Sequence, residues 1–125
     1  MKVVSIVGAR PQFIKAAPVG KVLRAVPPPY ESPNVYHVYH QYTIRAEQRD
    51  VLAAYLKERG IGTMVYYPVP LHLQEFYASL GYGEESLLAS EVASREVLSL
   101  PMYPELTEAQ QVMVAEAIRG FYELG

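Results

Sequence analysis

The sequence contains no cysteine, which removes disulfides, thiolate nucleophiles and cysteine-ligated metal sites together. Histidine is scarce: there are three, and His37 and His40 fall on opposite faces of an extended segment. That spacing does not converge on one ion, so no metal site is expected. Charge is also low. Charged residues make up 19% of the chain, the formal net charge is −2, and no run of Lys or Arg exceeds two residues. Nucleic-acid binding needs a basic stripe, so nucleic acid is not expected as a partner. No apolar run approaches the roughly 18 residues of a membrane span. The opening run Val3-Val4-Ser5-Ile6-Val7 stops at Gly8-Ala9-Arg10-Pro11, too soon for a secretory signal. These absences fit a cytoplasmic protein with no membrane partner.

What is present argues for a folded chain. Hydrophobic residues make up 50%, which excludes a disordered chain, and 125 residues suffice for one domain with a modest core. Val3 to Val7 is nearly continuous and β-branched, and reads as a buried strand. Pro11 can open a helix, and Gln12 to Ala25 carries Phe13, Ile14, Ala17 and Val22 on a plausible apolar face. Pro18 should kink or break that helix. Four prolines between 27 and 33 then forbid a helix or a central strand, so residues 26–34 read as an extended linker.

Beyond the linker, strands and helices alternate. Val35 to Arg45 is rich in aromatic and β-branched residues and reads as a strand. Glu47 to Arg59 reads as a helix with Val51, Leu52, Tyr55 and Leu56 inward, ended by Gly60. Ile61 to Tyr67 reads as a second strand, and Pro68-Val69-Pro70-Leu71-His72 as a stiff loop. Leu73 to Leu80 reads as a short helix closed by Gly81, Glu85 to Glu96 as a longer one, and Val97 to Leu100 as a third strand. Thr107-Glu108-Ala109-Gln110 fits the capping box that opens a last helix, with Val114, Ala115, Ile118, Phe121 and Tyr122 inward. The expected fold is α+β: a small, mostly antiparallel sheet of three or four strands with helices packed on one face. Val3 to Val7 is the candidate fourth strand. The division is 1–25, the proline-rich 26–34, and a unit at 35–125.

Two resemblances attach to different parts of this chain. His37-Val38-Tyr39-His40-Gln41-Tyr42-Thr43-Ile44-Arg45, Tyr55-Leu56-Lys57-Glu58-Arg59-Gly60, Tyr66-Tyr67-Pro68-Val69-Pro70-Leu71-His72 and Leu98-Ser99-Leu100-Pro101-Met102-Tyr103-Pro104 resemble, in order and spacing, the small C-terminal domain of the DegT/DnrJ/EryC1/StrS sugar-nucleotide aminotransferases. Val3-Val4-Ser5-Ile6-Val7-Gly8-Ala9-Arg10-Pro11 with Ile14-Lys15 and Ala17-Pro18-Val19 resembles the start of the UDP-N-acetylglucosamine 2-epimerases. Both families act on nucleotide-activated amino sugars for surface polysaccharides.

The aminotransferase resemblance implies PLP chemistry, which needs a lysine for the Schiff base. In that family the lysine lies upstream, in a large domain that has no counterpart here. The lysines of this sequence are Lys2, Lys15, Lys21 and Lys57, and Lys57 falls on the solvent side of an amphipathic helix. The expectation is a truncated, chimeric relative that binds no PLP by itself and is not an enzyme alone. The resemblances also imply sugar-nucleotide contacts at Arg10, Arg45, Tyr67 and His72. A structural role for the same residues is the plainer alternative: a turn at Gly8-Ala9-Arg10-Pro11, and a loop histidine stacked among prolines and tyrosines. Two further readings stay open. The chain is a module binding a nucleotide sugar or a partner, or a subunit that completes an aminotransferase site. An apolar face left over from a missing large domain would favour a homodimer or other homo-oligomer.

Overall fold

The computed structural model describes residues 33–34 and 40–123. The expected strand Val3 to Val7, the helix in 12–25, Arg10, His37 and all but the end of the proline-rich stretch lie outside the described residues.

The described elements run β1 (Tyr42–Arg45), α1 (Arg49–Glu58), two 3-10 turns (Leu71–Leu73 and Glu75–Leu80), α2 (Leu88–Glu96), β2 (Val97–Leu100) and α3 (Glu108–Glu123). β1 and β2 pair antiparallel, with Tyr42 opposite Leu100, Thr43 opposite Ser99, Ile44 opposite Leu98 and Arg45 opposite Val97. The result is a small α+β unit, as expected, but with fewer strands. Among the described residues the sheet has two strands, and the expected strand Ile61 to Tyr67 reduces to one bridge, Met64 to Ser99.

That bridge sets the order of the layer. Ser99 N–H donates to Met64 O at 2.7 Å, and Met64 N–H donates to Ser99 O at 3.1 Å. Ser99 therefore spends both backbone groups on Met64, and faces Thr43 as a non-hydrogen-bonded pair. Side chains stand closest in such pairs. The Thr43 and Ser99 hydroxyls accordingly meet at 2.8 Å. β2 thus lies between β1 and the Met64 segment, which explains why all four of its residues are buried while β1 alternates.

The helices are fixed by end signals that the sequence carries. At the end of α1, Gly60 N–H donates to Lys57 O and Ile61 N–H to Leu56 O, both at 3.0 Å. Gly60 has φ +73°, a left-handed conformation that glycine adopts without a Cβ penalty. This is a Schellman motif, and its usual hydrophobic contact is present, since Leu56 and Ile61 share the core cluster. At the start of α3, Thr107 N–H donates to Gln110 Oε1 at 2.8 Å, and Gln110 N–H donates back to Thr107 Oγ1 at 3.3 Å. That is the reciprocal capping box.

The core joins Tyr42 and Ile44 of β1, Leu52 and Leu56 of α1, Leu98 and Leu100 of β2, and Val114 and Ile118 of α3. Val51 departs from expectation: it is 56% exposed. One residue is about 100° around a helix, so centring α1 on Leu52 and Leu56 turns Val51 out. On α3, Val114, Ala115 and Ile118 are buried and Phe121 packs against the cluster, whereas Tyr122 is exposed and donates its hydroxyl to Glu47 O at 2.8 Å. Arg49, although charged, is buried at the start of α1. Its Nη1 donates to Val97 O at 3.0 Å and its Nε to Asp50 Oδ1 at 2.6 Å, tying the helix start to β2.

Candidate functional site

The segment between Tyr66 and Leu88 follows different rules from the core. Pro68 and Pro70 stiffen its entry, and the 3-10 turns Leu71–Leu73 and Glu75–Leu80 replace the helix expected at 73–80. Gly81, at φ +76°, closes the second turn. These turns are too short to bury an apolar stripe, so large apolar side chains face outward. Phe76 is 84% exposed and Tyr67 is 73% exposed, and Leu71 and Leu80 are exposed as well.

An open groove of about 700 Å³ runs along this segment. Tyr66, Tyr67, Tyr77 and Tyr82 line it, together with Pro70, Leu71, His72, and Ser90 and Ser94 of α2. Among the described residues, no lysine or arginine lines it. The described lining offers aromatic faces, hydroxyls and the His72 ring.

At the floor of the groove, His72 meets a buried carboxylate. His72 is 8% exposed and Glu91 of α2 is 3% exposed. His72 Nε2 stands 2.9 Å from Glu91 Oε1. The same carboxylate accepts Glu85 N–H on Oε2 at 2.9 Å and Leu87 N–H on Oε1 at 3.2 Å. A buried carboxylate needs hydrogen-bond partners, and both oxygens of this one have them. The Glu85 N–H bond, then the bonds from His72 and Leu87, hold its carboxyl below the usual range, against the upward push of burial. Glu91 also explains why α2 starts at Leu88 instead of the expected Glu85. The backbone at 85–87 turns to aim its N–H groups at the carboxylate, and Glu85 takes a left-handed φ of 66°. Tyr82 sets its ring edge-on to His72, with centroids 6.5 Å apart.

Tyr67 and His72 meet at the groove. Arg45 does not: it is not among the groove-lining residues, and its Nε donates to Glu96 Oε2 at 2.7 Å beside the sheet. Arg10 lies outside the described residues. Glu91 was missed by sequence reasoning, which saw only a helix around it. Its signal was weak: an acid near a helix start, able to reach back to the backbone N–H groups before the first turn. Among the described residues, no group of three His, Cys, Asp or Glu could hold a metal ion, and no helix is long and apolar enough to cross a membrane.

Comparison with known proteins fixes the family. Residues 17–119 match the DegT/DnrJ/EryC1/StrS aminotransferase family. A "pleiotropic regulatory protein" of Geobacillus stearothermophilus is 62% identical over 94 residues, covering 75% of this chain and 25% of that protein. The dTDP-3-amino-3,4,6-trideoxy-alpha-D-glucose transaminase of Streptomyces venezuelae is 42% identical over 95 residues, covering 76% of this chain and 25% of that protein. Among solved structures, a family aminotransferase from Brucella abortus superposes with a TM-score of 0.79 at 36% identity, over 89% of this chain and 30% of that chain. The chain belongs to this aminotransferase family, and it spans about a quarter of the length of these curated relatives.

PLP, the cofactor of this family, needs a lysine amine for its Schiff base, an acid for its ring nitrogen and donors for its phosphate. Among the described residues the groove lining holds no lysine and no arginine, and the nearby carboxylate of Glu91 is already engaged by two backbone N–H groups and the His72 ring. Lys57 is exposed on α1 and does not line the groove. The described residues do not fit PLP.

Proposed function

We propose that this chain is a chimeric, truncated relative of the nucleotide-sugar aminotransferases that does not transaminate by itself. In this reading a small-domain unit at 35–125 follows a proline-rich linker at 26–34 and an epimerase-like opening at 1–25, and the protein works in the cytoplasm. The groove carries the reading. It keeps an aromatic, hydrogen-bonding lining suited to a sugar, yet no described lysine reaches it. The experiment is to incubate the purified chain with PLP, reduce with borohydride and map any pyridoxyl-lysine by mass spectrometry, beside an amino-transfer assay on UDP- and dTDP-linked keto sugars. The expected outcome is scattered, substoichiometric labelling and no turnover. One stoichiometrically labelled lysine with turnover would overturn the proposal.

A second reading, a module binding a nucleotide sugar or a partner chain, is supported by the same open groove. Tyr67 and His72 offer contacts there, and Arg10, with Arg45 if it leaves Glu96, is the candidate cation for a diphosphate. An NMR titration with UDP-N-acetylglucosamine tests it, with saturable shifts expected at Tyr67 and His72. The exposed side chains of Tyr67, Leu71, Phe76 and Leu80 also support a homodimer or other homo-oligomer, or pairing with an intact aminotransferase. A strictly monomeric species in concentrated solution by light scattering would count against self-association.

A further inference from the structure

We propose that Glu91 is a positioning residue: it holds His72 as the Nε2–H tautomer, so that Nδ1 is left as an acceptor for a hydroxyl of a sugar in the groove. This rests on the sugar-binding reading above and adds to it the residue that sets the polarity of the site.

The first support is the bonding of Glu91. An ionised carboxylate only accepts, and this one takes two backbone N–H groups and faces His72 Nε2 at 2.9 Å. In a neutral ring the Nε2 atom must then be the donor, and Nδ1 carries the lone pair. Carboxylates fix the tautomer of histidines in this way where the opposite ring nitrogen must accept from, or coordinate to, something else. Glu91 cannot itself meet a ligand, because it is sealed beneath the groove at 3% exposure. It acts through His72.

The second support is the free side of the ring. His72 Nε2 has Glu91, whereas Nδ1 has no hydrogen bond to a described residue. His72 lines the groove with Nε2 turned to Glu91, and in this proposal Nδ1, the other ring nitrogen, is on the groove side. A third observation sets the ligand class. Among the described residues no lysine or arginine lines the groove to pair with a phosphate, while tyrosine faces suit the C–H side of a sugar ring. A hydroxyl donating to Nδ1 completes the match.

The test uses protein with 15N-labelled histidine, at a pH where the ring is neutral. Two-bond proton–nitrogen correlations report which nitrogen carries the proton. The expected result is His72 with Nε2 protonated and Nδ1 bare, and loss of that preference in Glu91→Gln, whose amide can also donate. On titration with UDP-N-acetylglucosamine, the Nδ1 resonance should shift in the unsubstituted protein, and shift several-fold less in Glu91→Gln while Tyr67 still responds. An Nδ1–H ring in the unsubstituted protein overturns the role of Glu91 even where the sugar binds, and that measurement decides the matter should Glu91→Gln fail to fold. The expected tautomer with no ligand shift at any residue overturns the sugar-binding reading and this proposal with it. Ligand shifts at Tyr67 that leave Nδ1 unmoved overturn this proposal alone.

Discussion

The half of the molecule built from β1, β2, α1 and α3 and the groove segment between Tyr66 and Leu88 are rich in the same residue types, yet they are held in opposite ways. In the first, Leu52, Leu56, Leu98 and Ile118 are almost fully shielded, and the elements are closed by a Schellman motif and a capping box. In the second, Tyr67, Leu71, Phe76 and Leu80 face outward, and the segment is tied down from beneath by a single carboxylate, Glu91. Hydrophobic residues stabilise a fold only where helices and strands are long enough to present them together. The short turns of the groove segment are not, so its apolar side chains remain available for a ligand or another protein.

The sharpest way to break this comparison is a pair of truncations. Leu56→Ala, at a fully shielded position, should cost about 2–5 kcal/mol in urea unfolding. Phe76→Ala, at 84% exposure, should stay within about 0.5 kcal/mol. Equal costs would mean that the groove segment is part of the core after all.

Acid should separate the two halves next. The Glu91 carboxyl is held below its ordinary value in the fold, chiefly by the Glu85 N–H and then by His72. Its contribution is therefore fully present above the unfolded carboxylate value and is lost as pH falls through the lower, folded value. Hydrogen exchange, corrected for intrinsic rates, should show Glu85 and Leu87 amides losing protection on acidification before the Leu98 amide does. Simultaneous loss would place Glu91 within the global unfolding unit.

Two smaller changes sharpen the account of the packed half. Thr107→Ala removes one side of the capping box and should cost about 1 kcal/mol. Tyr122→Phe removes the hydroxyl that α3 donates to Glu47 O, and because this site is exposed it should cost no more than about 0.5 kcal/mol. Both are read from the shift in denaturation midpoint at unchanged m-value.

Much of the packed half was legible because its signals are local. Gly60 after an amphipathic run and Thr107 three residues before Gln110 each specify a helix end with a backbone geometry that only a few residue types supply. Val97 to Leu100, apolar and stopped by Pro101, could hardly be anything but a buried strand. Ile61 to Tyr67 has equally strand-like residues, yet pairing stops at Met64, with Pro68 and Pro70 close behind and the segment turning into the groove. On α1, the apolar run did not say which of two adjacent faces would be centred, and packing against α3 chose Leu52 and Leu56 over Val51.

The candidate site divides along the same line. Tyr67 and His72, candidates through the family resemblance, both line one groove. Arg45 was chosen by the same resemblance, but its side chain is taken by Glu96, which lies far away in sequence and adjacent across the sheet. Glu91, 19 residues from His72, has no motif that links the two. By itself the sequence determined the helix ends at Gly60 and Thr107, the buried strand and the family, because those depend on spacing along the chain. Only the tertiary structure decided that the groove faces outward, that Arg45 is occupied and that Glu91 sits beneath His72. Contacts between distant residues depend on how the elements turn against each other, and no local pattern carries that information.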